Sequence, residues 1–442
     1  MKTSVQINSK IKSFNKTLSI PGDKSISIRL ILLASQANGK TKISNLLESE
    51  DVMSTIRSMR GLGIKIAKRN RVYEINGAGL NGYNYKKNLV INAGNSGTFA
   101  RLFCGAVVKS DKVIRIIGDR SLSKRDFSRI IKPLKLFGVS FKSNSNHLPI
   151  KIIGTNYLRP IYYEEKKGSA QVKSSIMIAS LNSPGETVIK SIPSRDHTEL
   201  MFKHCLNIPI NIKKNKKFDI IKIKGQHNYK GFNYIVPGDI SSASFFIVLT
   251  ILSKNSKLLI HNVNINKSRS GIIEILKKMN ANILIKNKRK YNGETIGSIF
   301  IKSTQNLKSI NCPKSINTKA IDEFLIIFLV CAKAKGNSVF KGLAELRNKE
   351  SDRLKIASRF LKMIGIKVEE KLDSLKIYGN PNLNLNKKYV VKNYLKDHRV
   401  FMMSCIAALV FGGDFKILDK SSINTSFPGF LKILKKLGAS IK

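Results

Sequence analysis

Tryptophan is absent from this 442-residue chain, and acidic residues are scarce, 28 Asp and Glu against 79 Lys and Arg, for a formal charge of +51. Long apolar runs are missing as well. The two longest, "FLIIFLVCA" after Glu323 and "SFFIVLTIL" after Ala243, are about half of what a bilayer span requires and predict buried core helices. Residues 1–19 alternate polar and apolar positions without the continuous apolar stretch of a secretory leader, which implies a cytoplasmic protein. The five cysteines, Cys104, Cys205, Cys312, Cys331 and Cys405, are scattered with no C-x-x-C spacing, so they read as reduced core thiols rather than metal ligands or disulfide partners.

The excess positive charge invites a nucleic-acid reading, but lysine is spread through the chain beside Asn and Ile instead of gathering in one patch. Neither a helix-turn-helix nor a stripe of alternating basic and aromatic residues is present. A lysine-rich surface therefore remains, with a field that draws small anions toward it.

What the chain does contain is repetition. Six segments pair an amphipathic helical pattern with Gly or Asn and a short β-like run: "SMRGLGIKI", "PLKLFGVSF", "HCLNIPINI", "LKKMNANIL", "LKMIGIKVE" and "LKKLGASIK". The marker residues, Gly63, Gly138, Asn207, Asn280, Gly365 and Gly438, recur about every 70 to 85 positions. Gly and Asn are what a left-handed helix C-cap favours, so each marks a helix handing over to a strand. Runs such as "VIRIIG", "ETVIKSI" and "NSVFKGL" supply further strands. The length exceeds what one core usually fills, so six α/β units in two domains are predicted.

A second repeat divides them. "SIPGDKSISIRLILLAS" at 19–35 is echoed by "VPGDISSASFFIVLTIL" at 236–252. The predicted domains are 23–237, and 1–22 together with 238–442, joined by a two-stranded hinge at 20–24 and 236–240. Each Pro-Gly-Asp opens a helix, where Asp23, Ser25, Asp239 and Ser241 are capping candidates and the free N–H groups can receive an anion.

Nine segments in order, "PGDKSISIR", "NAGNSGTFARL", "GDRSLSKRDFSRIIKPL", "GSAQVKSSIMIA", "SRDHTE", "VPGDISSASFF", "AIDEF", "LRNKESDR" and "KDHRVFM", make the chain resemble the 5-enolpyruvylshikimate-3-phosphate synthases. That resemblance implies an α/β (α+β) fold of two domains, each of three βαβαββ units in an inverse β-prism. It also implies transfer of the enolpyruvyl group of phosphoenolpyruvate to the 5-hydroxyl of shikimate 3-phosphate, releasing phosphate, in the shikimate pathway to aromatic amino acids. Both substrates carry phosphate and carboxylate, which arginine's planar fork binds with two parallel hydrogen bonds.

Carried over residue by residue, the resemblance places Lys24, Ser25, Arg29, Ser169, Ala170, Gln171, Arg195, Asp322 and Lys349 at shikimate 3-phosphate. Lys24, Gly97, Arg125, Gln171, Arg353 and Arg399 fall to phosphoenolpyruvate. The catalytic set is Asp322, Glu350 and Lys24, with Asp322 taking the hydroxyl proton and Glu350 delivering one to carbon. His197 and His398 read as supporting residues. No metal or organic cofactor is implied, and the partners are small anions bound by a monomer, with no nucleic acid and no membrane. Division of these residues between the two domains implies closure on substrate binding.

The chain departs from the family pattern at Thr425, where many members carry a lysine just before "FP". The related transferases acting on UDP-N-acetylglucosamine use a loop cysteine, and no cysteine lies between Val113 and Phe141 here.

Overall fold

The structure, a computed structural model, describes residues 4–215 and 217–442. It divides into two units. The first comprises Gly22–Pro237 and the short segment Lys290–Glu294; the second comprises the chain up to Pro21, Gly238–Arg289 and Thr295–Lys442. The small segment 290–294 has no counterpart in the sequence-based division.

The first unit repeats one arrangement three times. Its sheets run, in spatial order, Asn233–Ile235, Asn38–Ser44, Val72–Ala78, Lys65–Arg69; then Leu89–Asn92, Ile114–Ile117, Ile150–Ile153, Ser140–Ser143; then Tyr162–Glu165, Glu186–Ser191, Asp219–Lys224, Ile210–Lys214. Every one starts with a parallel pair and continues with two antiparallel pairs. Among the described residues of the second unit the sheets have four, three and three strands. Single parallel bridges, Lys308 to Lys335 and Asn311 to Val339, stand where a further strand of the sheet at Asn337–Phe340 would lie.

Six helices are buried on nearly all sides: α1 (Lys24–Ser35), α2 (Gly97–Ala106), α3 (Ala170–Ser180), α4 (Ile240–Leu252), α5 (Phe324–Lys333) and α6 (His398–Phe411). A helix apolar all round has no solvent face to offer, so it must form a core. The two runs too short for a membrane span are the bodies of α4 and α5, and no helix of the described residues is long and apolar enough to cross a membrane. Within each unit the three helices pack on one another, α1 to α3 in the first and α4 to α6 in the second. Neighbouring α2 and α3 run the same way: Thr98 meets Gln171, and further along Arg101 O accepts from Ser175 Oγ at 2.9 Å.

All six marker residues have left-handed backbone, with φ of 86°, 104°, 51°, 69°, 83° and 99° at Gly63, Gly138, Asn207, Asn280, Gly365 and Gly438. Each follows an outer amphipathic helix, and the six-fold repeat read from the sequence is thus built into the backbone. The first five lead into strands; the last instead ends in paired backbone bonds between Lys442 and Gln6.

The repeated Pro-Gly-Asp segments are treated alike. In the first unit Asp23 N donates to Pro237 O at 2.8 Å, and in the second Asp239 N donates to Pro21 O at 3.1 Å. Both aspartates cap the helix that follows, Asp23 accepting from Ile26 N at 3.0 Å and Asp239 from Ser241 N at 2.7 Å. The cysteines are free, four buried and Cys205 half-buried; burial pushes the thiols of Cys104, Cys205 and Cys331 up to about 12 and that of Cys312 to about 11.

Candidate active site

Because the core helices are continuous with the sequence motifs, each unit gathers its motif residues around the N-termini of its own three helices. In the first unit α1 starts at Lys24, whose Nζ lies 2.8 Å from Asp51 Oδ2. One turn on, Arg29 is buried; its Nε donates to Thr198 Oγ1 at 2.9 Å, Nη2 to Ser174 Oγ at 3.0 Å and Nη1 to the Ser25 carbonyl at 3.0 Å. Burial lowers the Arg29 pKa to about 10, offset in part by the carboxylates of Asp23 and Glu199, so it keeps its charge at neutral pH. Arg195 stands close enough to add repulsion, which an arriving anion would relieve.

Helix α3 is capped by Ser169, whose hydroxyl accepts from Val172 N, while Ser169 N donates to Glu165 at 2.9 Å. Gln171, in the first turn, accepts from Arg101 at 2.7 Å and donates to Thr98 Oγ1 at 2.9 Å. Helix α2 opens at Gly97, and a Cβ there would lie 2.8 Å from Arg125 Nη1 and 3.2 Å from Arg101 Nη1. Lys24, Ser25, Arg29, Gly97, Arg125, Ser169, Ala170, Gln171 and Arg195 all belong to this unit.

The second unit holds the carboxylates. Asp322, just before α5, has Lys349 Nζ 3.3 Å from Oδ1, Arg353 Nη1 3.6 Å from Oδ1 and Arg269 Nη1 3.9 Å from Oδ2. Glu350 accepts from Arg353 Nη2 at 2.6 Å. Arg353, 2% exposed, also grips Asp397 through two bonds, 2.9 Å from Nε and 3.2 Å from Nη2. Burial opposes the Arg353 charge, yet Asp397 and Glu350 hold it above the ordinary guanidinium range. Burial likewise opposes the Asp397 charge, and Arg353 overrides it, keeping that carboxyl below its usual 3.8. Asp397 caps α6 through Arg399 N at 3.0 Å, and the Arg399 guanidinium lies 3.9 Å from Glu323. Thr425 Oγ1 lies 3.4 Å from His398 Nδ1 and donates to Ser422 O at 2.9 Å.

An array of arginines at helix N-termini, beside two partly exposed carboxylates, suits doubly anionic substrates and proton transfer. A family model described as EPSP synthase (3-phosphoshikimate 1-carboxyvinyltransferase) matches residues 8–434. The chain belongs to the EPSP synthase family. It is 41% identical over 431 residues to a 3-phosphoshikimate 1-carboxyvinyltransferase of Ruthia magnifica, covering 97% of each chain. Against the Zymomonas mobilis protein of that name it is 40% identical, covering 96% of this chain and 94% of the other. A solved EPSP synthase from Acinetobacter baumannii superposes with a TM-score of 0.86 at 35% identity, covering 100% of this chain and 99% of that one. The enolpyruvyl transferase NikO from Streptomyces tendae, at 13% identity and a TM-score of 0.77 over 100% of this chain and 98% of its own, shares the fold. The two-domain prism of three-unit halves is therefore the fold of this EPSP synthase family member.

Sequence reasoning missed the partners of the motif residues. Asp51, Ser174 and Thr198 hold Lys24 and Arg29, and Arg101 holds Gln171. Glu323, beside the predicted Asp322, is fully buried and accepts from Ser241 Oγ and from Arg269 at 3.0 Å. Arg101, Ser174, Thr198 and Glu323 lie inside the quoted motifs, which was the one signal for them; Asp51 and Arg269 lie outside every motif and carried none. Both histidines read as supporting residues are buried; His197 Nδ1 lies 2.6 Å from Glu294 in the segment that joins the first unit.

Proposed function

We infer that the protein transfers the enolpyruvyl group of phosphoenolpyruvate to the 5-hydroxyl of shikimate 3-phosphate by acid/base addition and elimination. The observation that carries this reading is the pairing of Asp322 and Glu350 around Arg353, at 3.6 and 2.6 Å, with side chains 16% and 18% exposed. Both carboxylates are reachable by a ligand, yet fixed by charge. Asp322 accepts the hydroxyl proton as oxygen attacks and Glu350 gives a proton to the methylene carbon; in the elimination the resulting methyl group returns a proton to Glu350 as the C–O bond to phosphate breaks, phosphate leaves with the proton held by Asp322, and the double bond is restored.

Glu350 must hold a proton to do this. Alone, Arg353 favours its ionised form, but a phosphate or carboxylate that takes Arg353's donors adds negative charge beside Glu350 and raises its proton affinity. Substrate binding thus arms the acid. Lys24, Ser25, Arg29, Ser169, Ala170, Gln171, Arg195 and Lys349 bind shikimate 3-phosphate in this account. Lys24, Gly97, Arg125, Gln171, Arg353 and Arg399 bind phosphoenolpyruvate. The enzyme works as a cytoplasmic monomer on these small anions, without nucleic acid or membrane.

The test is phosphate release from phosphoenolpyruvate on adding shikimate 3-phosphate. Asp322→Asn and Glu350→Gln should each lower kcat by about 10²- to 10⁴-fold, with shikimate 3-phosphate still binding both by calorimetry. Wild-type turnover in either variant would overturn the corresponding role.

A further inference from the structure

Arg269 lies outside every motif that carries the family resemblance, between strand Lys257–Asn264 and helix Gly271–Lys278. Its side chain is 2% exposed. Backbone turns hold it in place: Arg269 N donates to Asn266 O at 2.8 Å, and Asn266 Oδ1 accepts from Ser268 N at 2.9 Å. From there Nη1 donates to Glu323 Oε1 at 3.0 Å and lies 3.9 Å from Asp322 Oδ2. Nη2 donates to Ser241 Oγ and lies 3.6 Å from Asp239 Oδ1. A single guanidinium thus reaches three carboxylates and a hydroxyl at the starts of α4 and α5, and Arg399 of α6 approaches Glu323 from the other side at 3.9 Å.

Such a network is a poor choice for stability alone, because well-packed apolar groups often replace buried charges without loss. Its value lies in what happens at Asp322. Lys349 and Arg353 face Oδ1 and are the cations a substrate would engage, whereas Arg269 faces Oδ2 and is sealed from solvent. When ligands draw off the first two, Arg269 stays committed to Asp322.

We propose that Arg269 is a positioning residue for the transfer reaction, holding the Asp322 carboxylate in place and ionised from its Oδ2 side and, through Glu323, locking the N-termini of α4, α5 and α6 together. The inference rests on Asp322 as the base. The charged groups gathered there are the carboxylates Glu323, Glu350 and Asp239 and the cations Lys349, Arg353 and Arg399, so loss of Arg269 leaves a more negative surrounding.

The test uses the full chain with both substrates saturating, measuring kcat against pH for Arg269→Met combined with Glu323→Gln, which removes the pair together and spares the fold an uncompensated charge, and for Arg269→Lys. The double variant should lose about ten- to a hundredfold in kcat, with KM values within about threefold, and, measured against Glu323→Gln alone so that only the cation differs, its acidic limb should move to higher pH because a carboxylate deprived of a cation holds its proton more tightly. Arg269→Lys should keep the limb near its wild-type position while losing kcat, since it keeps the charge and not the fork. Thermal melts establish that each variant is folded. A folded double variant with wild-type kcat and an unmoved limb would overturn the proposal. Asp322→Asn run alongside separates the two claims: an active Asp322→Asn sinks the base assignment itself, whereas an inactive one beside wild-type-like Arg269 variants sinks only the role of Arg269.

Discussion

At Gly97 the absence of a side chain leaves space for two guanidinium groups, with Arg125 2.8 Å and Arg101 3.2 Å from where a Cβ would stand. Gly97→Ala should push Arg125 aside and raise KM for phosphoenolpyruvate by about ten- to a hundredfold, the equivalent of roughly 1–3 kcal/mol of overpacking. KM for shikimate 3-phosphate should stay put, and steady-state kinetics with each substrate varied in turn checks both. Asp397 makes a different prediction. Its folded pKa is held below 3.8 chiefly by Arg353 against burial, so its stabilising contribution is complete above about pH 4 and is lost as pH falls through the depressed value. Urea midpoints measured from pH 6 down to pH 3 should fall, and the fall should be shallower in Asp397→Asn. The arginines themselves were legible because the chain uses few of them and sets them in motifs. Their partners were not, since Thr198, Ser174, Asp51 and Arg269 are ordinary residue types whose significance arises only when distant segments pack together.

Elements were easier to read than contacts. A Gly or Asn after an amphipathic stretch has one strong physical reason to recur, the left-handed cap, and all six positions have that conformation. Runs apolar on every face could only be core helices. What the pattern could not give was the way the helices meet. Helices α2 and α3 approach so closely that a Cβ at Gly105 would fall 2.2 Å from the Ser175 carbonyl oxygen. That atom is backbone and cannot swing away, so Gly105→Ala should destabilise the protein by about 2–4 kcal/mol, read as a lower urea midpoint at unchanged slope. A wild-type midpoint would mean that the two helices separate at little cost. The segment 290–294 was equally hidden: Glu294 reveals its partner His197 only in three dimensions, 97 positions away in sequence.

For the whole molecule the +51 charge is the dominant electrostatic fact. Spread over the surface, it attracts dianions from a distance set by the Debye length, about 10 Å at 0.1 M salt and about 3 Å at 1 M. Raising potassium chloride across that range should lower kcat/KM for both substrates severalfold while kcat at saturation changes little; equal loss in kcat would point to damage at the site instead of weakened attraction. The chemistry assigned to Asp322, Glu350 and the arginines is tested most directly by the identity of the acceptor. Incubating the protein with phosphoenolpyruvate and an equimolar mixture of shikimate 3-phosphate and UDP-N-acetylglucosamine, then weighing the products by mass spectrometry, should find the enolpyruvyl ether on shikimate 3-phosphate alone. Its appearance on the sugar nucleotide, or on neither acceptor with folded protein, would contradict the account.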